Sequence, residues 1–219
     1  QHGADGPART NSRPEFMNPV DQLALVVGLP EIQVQSEPTG LVLALWLTQL
    51  GVGVRILDKL AEPATTTRAV AVQARTLEFY RQIGMAEAVV ARGRTITQVN
   101  LWVAGRHAAR AAFGNIGADI SPYPYVLVFS QDEHEHLLVD RLRDAGVLVE
   151  RRTEVVDFDQ TGDRTVAQLK LPDGRVEECE AAFVAGCDGA QSAVRQTLSL
   201  GAPAATYSHL VCMADGPTR

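Results

Sequence analysis

Cysteine is scarce in this sequence, and its three residues, Cys179, Cys187 and Cys212, include no Cys-x-x-Cys pair. An odd and scattered set of cysteines argues against both a disulfide framework and a zinc site. Long apolar runs are also missing. The longest, Leu41–Leu50, falls well short of the roughly 18 residues that a membrane span requires. These absences predict a reduced, soluble and cytoplasmic chain that binds no metal.

Positive charge is in deficit, because 20 Lys and Arg residues stand against 26 Asp and Glu residues, a formal net charge of −6. Nucleic acids and anionic membranes both reward clustered positive charge, so neither is expected as a partner. No serine lies in a Gly-x-Ser-x-Gly sequence, which excludes an α/β-hydrolase.

The first sixteen residues, 1–16, show no apolar periodicity and are rich in Gly, Pro, Ser and Asn. A secretory signal would need an apolar core of about 7–15 residues, which this segment lacks. We therefore interpret 1–16 as a leader or an expression-derived segment and Met17 as the natural start. A native flexible arm is the alternative.

A strand, a helix and a second strand are predicted to follow. Leu23–Gly28 is a short apolar run ending in glycine, as expected for a strand buried on both faces of a parallel sheet. Pro38 opens an apolar run that Gly51 closes, which predicts a helix over 38–50. Val52–Asp58 is the next predicted strand, and such crossovers join parallel strands.

The remainder of the chain predicts an α/β pattern that contains an inserted strand pair and a later β-meander. The predicted elements are a helix over 76–90, strands over 97–103 and 108–113, a helix over 131–145, strands over 147–150, 154–159, 165–171 and 176–185, and a helix over 190–198. Helices 38–50 and 131–145 are expected to pack on a parallel sheet. Its four predicted strands are Leu23–Gly28, Val52–Asp58, Val147–Glu150 and Ala181–Ala185.

Two acidic residues follow strands, at the edge where α/β sheets bind ligands. Asp58 lies 58 − 40 = 18 residues after Gly40, close to the roughly 20 expected for a carboxylate that binds adenosine ribose hydroxyls. A solvated strand end is the alternative for Asp58. Asp188-Gly189 runs from a strand directly into a helix, and its alternative is a plain turn with Ser192 or Asp188 as the helix cap.

Charged residues elsewhere give weaker signals. Arg68 follows three threonines in a loop after the second strand, where its guanidinium could bind a phosphate bidentately. Arg75 and Glu78 have i, i+3 spacing, which favours a surface ion pair. His134 and His136 have i, i+2 spacing, which is poor geometry for a shared metal, so surface positions are predicted for both.

Four ordered segments of the chain carry a family pattern: LALVVG…PTGLVLALWLTQLGVGVRILDK, TTRAVAVQARTLEFYRQIG, PYVLVFSQDEHEHLLVDRL and AAFVAGCDGAQSAVRQTL. Over about residues 21–200 they resemble the class A FAD-dependent aromatic hydroxylases, which are similar to p-hydroxybenzoate hydroxylase. The resemblance implies a Rossmann-like FAD-binding fold of the glutathione-reductase type with a β-meander, its substrate domain largely missing. It also implies a monooxygenase that uses FAD, NADPH and O₂ to hydroxylate a small aromatic or polyketide-like substrate.

The same resemblance implies domain boundaries and cofactor-binding residues, but no catalytic residue. After the leader come a first part of the FAD-binding domain (17–95), the start of the substrate-domain sheet (96–128), a second FAD-binding part (129–200) and a truncated tail (201–219). The implied cofactor-binding residues are Gly28, Thr39 and Gly40 in the glycine turn, Asp58 and Lys59 at the adenosine, Arg68 at the pyrophosphate and the NADPH route, Gln131 at the flavin nucleotide, the Val155 backbone at the adenine, and Asp188 with Gly189 at both FAD and NADPH.

Two departures from the family pattern bear on function. Leu29–Glu37 places nine residues where the family's Gly-Ala-Gly-Pro-Thr-Gly has two, removes the middle glycine, and brings Glu31 and Glu37 toward a pyrophosphate. No segment after Asp188 matches the family's third fingerprint, a Gly-Asp followed by a stretch with His and Pro. Weak FAD binding or none is therefore expected.

Three hypotheses about function stay open at this stage. The chain is an FAD-dependent monooxygenase, a non-catalytic nucleotide-binding remnant, or one half of a split monooxygenase that a second chain completes. A homo-oligomer is a further alternative for the assembly.

Overall fold

The computed structural model describes residues 32–35, 38–62, 71–114, 117–162, 164–189 and 192–201, which form a mixed α/β fold. The elements in chain order are β1 (Ile32–Gln35), α1 (Pro38–Gln49), β2 (Val54–Asp58), β3 (Ala71–Val72), α2 (Ala74–Gln82), α3 (Ala86–Arg92), β4 (Arg94–Ile96), β5 (Gln98–Val103), β6 (Arg106–Ala112), β7 (Val126–Val128), α4 (Gln131–Asp144), β8 (Val149–Arg151), β9 (Glu154–Thr161), β10 (Arg164–Lys170), β11 (Val176–Ala181), β12 (Phe183–Ala185) and α5 (Ala193–Thr197).

A four-stranded parallel sheet in the order β12-β1-β2-β8 is the framework. β1 lies between β12 and β2, with Ile32 level with Phe183 on one side and with Val54 on the other. Three of the four predicted strands overlap their predicted ranges. Because all four strands run in the same direction, their carboxyl ends meet at one edge, where ligands of such sheets bind.

The predicted pairing of Leu23–Gly28 with β2 is wrong, because β1 and β8 hold the two sides of β2. The place beside β2 is held by Ile32–Gln35 and not by Leu23–Gly28, which lies outside the described residues. An apolar-run criterion selects the upstream segment because Ile-Gln-Val-Gln has only two apolar residues. Only Ser36 and Glu37 separate β1 from α1. Leu29–Glu37 is therefore not an insertion between strand and helix, because it contains the strand.

The two predicted long helices form and share one hydrophobic core. α1 packs on β1 and β2, and α4 packs on α1. The predicted helix over 76–90 is divided into α2 and α3, because Gly84 between them has a φ of 68°, a left-handed conformation that favours glycine. No helix in the described part of the chain is long and apolar enough to span a membrane.

The predicted strand pair and the predicted meander also form. β5 and β6 make an antiparallel hairpin in which every residue of both strands is exposed. β9, β10 and β11 make an antiparallel sheet with β10 in the middle. Leu57 of β2 joins this meander to the parallel sheet through a second core, whose other members are Val155, Ala167, Leu169 and Cys179.

A small antiparallel sheet in the order β3-β7-β4 was not predicted. Its strands have two or three residues each, too few for a periodic signal. Leu127 at its centre is fully buried, and a Cβ added at Gly93 would lie 2.7 Å from the Leu127 side chain. The glycine therefore permits this close approach.

Candidate functional site

Asp58 lies at the carboxyl end of β2, at the edge where the parallel strands end. The residue is buried, with 9% of its surface exposed. Its Oδ1 accepts a hydrogen bond from the Leu60 backbone N–H at 2.9 Å, and its Oδ2 accepts one from the Arg151 guanidinium. A solvated strand end is thus the wrong interpretation of Asp58, whereas its role toward a ribose stays a prediction.

The backbone around Asp58 is fixed against the segment that follows β8. The Thr153 N–H donates to the Asp58 backbone oxygen at 2.9 Å, and the Arg152 N–H donates to the Leu60 oxygen at 3.1 Å. The Thr153 hydroxyl donates to the Arg151 oxygen at 3.3 Å. These bonds hold the ends of two neighbouring parallel strands in one arrangement beside the Asp58 carboxylate.

Three more of the predicted site residues lie near this edge. Thr39 is exposed and Gly40 is buried in the first turn of α1, directly after the central strand β1. Lys59 is exposed and follows Asp58 in the chain. The first turn of α1 therefore lies between the end of β2 and the end of β12, because β1 lies between those strands.

The other predicted cofactor-binding residues lie on different elements or outside the described residues. Gln131 is the first residue of α4, and Val155 is buried on β9, where its backbone pairs with Leu169. Gly28 and Arg68 lie outside the described residues.

Glu135 is a buried acid that the sequence analysis missed. Its side chain, on α4, is only 4% exposed, and Oε1 lies 3.6 Å from Nη2 of Arg151. Burial raises the pKa of Glu135, while the neighbouring Arg151 charge acts in the opposite direction. Spacing with Leu138 and Leu142 (i, i+3, i+7) is the signal that places Glu135 on the apolar stripe of the helix.

Asp188 takes part in the turn that leads into α5, and its role toward a cofactor stays a prediction. Its Oδ2 accepts a hydrogen bond from the Ala193 N–H at the start of α5, and the Ser192 hydroxyl caps that helix by accepting from the Arg195 N–H at 3.0 Å. The capping interpretation is confirmed. Asp188 Oδ1, however, is buried without a hydrogen-bond partner among the described residues, which is a costly state. Gly189 has a φ of 68°, which explains a glycine there.

Replacing Gly186 with alanine is expected to disturb the Asp188 turn. A Cβ at this position would lie 2.6 Å from Val194 Cβ, so α5 would have to shift. We expect a loss of about 1–2 kcal/mol in the free energy of unfolding, because overpacking of this kind usually costs about 1–3 kcal/mol and a terminal helix can give way. Urea unfolding measures the loss. Gly114→Ala is the matched control, since a Cβ there meets nothing within 4 Å. Equal midpoints for the two variants would contradict the prediction.

The prediction of a surface position is wrong for His134. Its Nε2 lies 2.7 Å from the Tyr80 hydroxyl, its ring packs against Phe129, and burial lowers its pKa to about 4. His136, in contrast, is exposed as predicted. Spacing of His134 with Leu137 and Leu138 (i, i+3, i+4) would have placed it on the buried face of α4.

The predicted pair Arg75 and Glu78 is confirmed as a surface ion pair. Arg75 Nη1 lies 2.8 Å from Glu78 Oε2, and the arginine side chain is 70% exposed. The guanidinium also lies over the Phe79 ring, 4.4 Å from its centroid. The pair stabilises α2 locally, by the few tenths of a kcal/mol typical of such contacts.

Comparison with known proteins identifies the family. The family described as "FAD binding domain" matches residues 34–213, so the match begins inside β1. The chain therefore belongs to this family, that of the flavin-dependent aromatic monooxygenases.

Several relatives of the chain are monooxygenases by name. The chain is 41% identical over 163 residues to 6-methylpretetramide 4-monooxygenase of Streptomyces rimosus, covering 74% of this chain and 29% of that protein. It is 30% identical over 182 residues to 12-dehydrotetracycline 5-monooxygenase/anhydrotetracycline 6-monooxygenase of Streptomyces rimosus subsp. rimosus, covering 83% of this chain and 35% of that protein. The chain thus spans about a third of the length of these relatives.

Among solved structures, a ternary complex of aklavinone-11 hydroxylase with FAD and aklavinone is similar. Its TM-score is 0.69 at 26% sequence identity, covering 80% of this chain and 35% of that one. Most of the chain therefore shares the fold of a protein whose structure contains FAD.

Proposed function

We propose that this chain holds the adenine-nucleotide end of FAD in a monooxygenase, in a Rossmann-like fold of the glutathione-reductase type. One observation carries the proposal: Asp58 ends β2 and Asp188 follows β12, and these two strands of one parallel sheet lie on either side of the strand that leads into α1. Ligands of such sheets bind at this edge, and the N-terminus of a helix attracts phosphate.

The polar groups at this edge fit a nucleotide with free hydroxyls. Asp58 is buried and held by two donors, and the orphaned Asp188 Oδ1 is an acceptor that a cofactor hydroxyl would satisfy. Asp58 and Lys59 would contact the adenosine. The first turn of α1, at Thr39 and Gly40, would approach the pyrophosphate. The other predicted residues would also contact the cofactor: Gly28, Arg68, Gln131, Val155 and Gly189. FAD bound here and reduced by NADPH would supply the two electrons with which one oxygen atom of O₂ enters an aromatic C–H bond and the other leaves as water.

The substrate class proposed is an aromatic or polyketide-like molecule. The names of the relatives support it, since they refer to 6-methylpretetramide, anhydrotetracycline and aklavinone. We assign 17–95 and 129–200 to the FAD-binding part and 96–128 to the start of the substrate-domain sheet. The exposed β5–β6 hairpin supports this assignment, because an isolated two-stranded hairpin is marginally stable in water.

Asp58→Asn is expected to weaken FAD binding about tenfold, because a charge-assisted hydrogen bond to the ribose becomes a neutral one. Flavin fluorescence titration measures the dissociation constant, with melting as a check on folding. Asparagine is used since alanine would leave Arg151 buried without its Asp58 partner. The control is Asp140→Asn, which removes an exposed carboxylate of α4. Unchanged affinity in Asp58→Asn would show that the carboxylate only ends a strand.

A purified chain distinguishes the competing hypotheses. Flavin absorbance after purification, or FAD binding in titration, supports the monooxygenase and the split-protein hypotheses over a remnant without cofactor. NADPH oxidation by the flavin-loaded chain then favours an active monooxygenase, whereas binding without oxidation favours a half that a second chain completes. The exposed apolar residues Val99, Leu101 and Val103 of the hairpin support a covering partner.

A further inference from the structure

Arg151 connects two buried carboxylates that come from different parts of the chain. Asp58 ends β2, Glu135 belongs to α4 and Arg151 ends β8. One guanidinium nitrogen, Nη1, bonds Asp58 Oδ2, and the other, Nη2, lies 3.6 Å from Glu135 Oε1. The three side chains are 10%, 4% and 19% exposed for Asp58, Glu135 and Arg151.

This arrangement is a poor device for stability alone. Moving charges out of water costs free energy, and the attraction within a buried ion pair often offsets only part of this cost. Apolar residues of the same size often stabilise a fold equally well. Two carboxylates share one guanidinium in this cluster, and burial raises the pKa of Glu135. Function is the better explanation for such a cluster at a ligand-binding edge.

The cluster does fix the direction of one carboxylate. Glu135 on α4 pairs with the planar guanidinium of Arg151. This guanidinium donates to Asp58 Oδ2, and the Leu60 N–H donates to Asp58 Oδ1. A carboxylate oriented by two donors before the ligand arrives loses less side-chain freedom on binding. Glu135 also lies four residues after Gln131, so the same contact links the helix that starts at Gln131 to the Asp58 edge.

We propose that Arg151, anchored by Glu135, is a positioning residue that fixes the Asp58 carboxylate for the hydroxyls of the adenosine ribose. The inference rests on the proposed nucleotide function of this edge. Arg151 acts through Asp58 and does not touch the ligand.

The test compares two probes, ADP and 2′,3′-dideoxy-ADP, which differ only in the ribose hydroxyls. NMR titration of the full chain gives both dissociation constants for the wild type and for Arg151→Met, Arg151→Lys and Glu135→Gln. We expect Arg151→Met to weaken ADP about tenfold and dideoxy-ADP less than about twofold, so that the preference for ribose hydroxyls is lost. Arg151→Lys is expected to restore part of the preference, and Glu135→Gln to reduce it less than Arg151→Met.

Controls separate positioning from stability. Arg143→Met removes the same charge from an exposed ion pair with Asp140 on α4 and is expected to bind both probes as the wild type does. If Arg151→Met does not fold, Arg151→Lys and Glu135→Gln decide the question. Folded variants that weaken both probes equally, or that keep the wild-type preference, overturn the positioning role while leaving the proposed function intact. A wild-type chain that binds neither ADP nor FAD overturns the proposed function and the inference with it.

Discussion

Replacing Gln35 and Glu37 together with glycine is expected to raise the affinity of the chain for FAD by one to two orders of magnitude. Because β1 ends at Gln35 and α1 begins at Pro38, these two residues take the places of the first two glycines in Gly-Ala-Gly-Pro-Thr-Gly, and Gly40 takes that of the third. Unit charges about 8 Å apart at an effective dielectric constant of about 20 repel by roughly 2 kcal/mol. Removing the Glu37 charge is therefore expected to raise the affinity for the pyrophosphate about tenfold, the factor that 1.4 kcal/mol represents.

The second part of the gain is space, because a glycine lets the backbone N–H groups approach a pyrophosphate. Glu37→Gln removes the charge and keeps the side chain, so it separates the two effects, and about tenfold is expected from it. Glu62→Gln is the control, since it removes an exposed carboxylate elsewhere in the chain. Flavin fluorescence titrations at constant ionic strength measure all three. A double glycine variant that keeps its circular dichroism spectrum but gains no affinity would refute the argument.

Elements with strong local signals were predictable from the sequence. The α1 helix has proline at its start and glycine after its end, and the meander turns at Gly162 and Gly174, which have left-handed φ values of 67° and 84°. β1 was not predictable in the same way, because Ile32–Gln35 is a short strand whose position depends on pairing with β2 and β12. Pairing over such sequence separations is a tertiary property, and Leu23–Gly28 has the stronger local signal.

The candidate site was predictable from the sequence only where a local pattern, either a spacing between two residues or a strand that leads into a helix, marks the residue. Asp58 follows from its spacing to Gly40, and Asp188 from a strand that runs directly into a helix. Glu135 and Arg151 have no such relation to Asp58, since the contact arises where α4 packs near the ends of β2 and β8. Polar residues in the middle of an amphipathic helix were assigned to its solvated face by default.

Lowering the pH from 7 to 4 is expected to destabilise the fold by about 3 kcal/mol through His134 alone. An unfolded histidine binds a proton below about pH 6.5, whereas burial lowers the pKa of His134 in the fold to about 4. The unfolded chain therefore binds more protons across this window, and stability falls as the pH falls. A shift of about 2.5 units at about 1.36 kcal/mol per unit sets the size of the effect.

The measurement is the difference in unfolding free energy between wild type and His134→Gln at each pH, obtained by urea unfolding. This difference cancels the contribution of Glu135 to the pH dependence. Because burial raises the pKa of Glu135, protonation of this residue stabilises the fold as the pH falls, opposite to the effect of His134. The neutral His134 ring can accept a hydrogen bond from the Tyr80 hydroxyl at Nε2, and glutamine keeps a polar partner there. His136→Gln changes an exposed histidine of the same helix and is the matched control. Parallel pH profiles for wild type and His134→Gln would mean that protonation of His134 is as easy in the fold as in water.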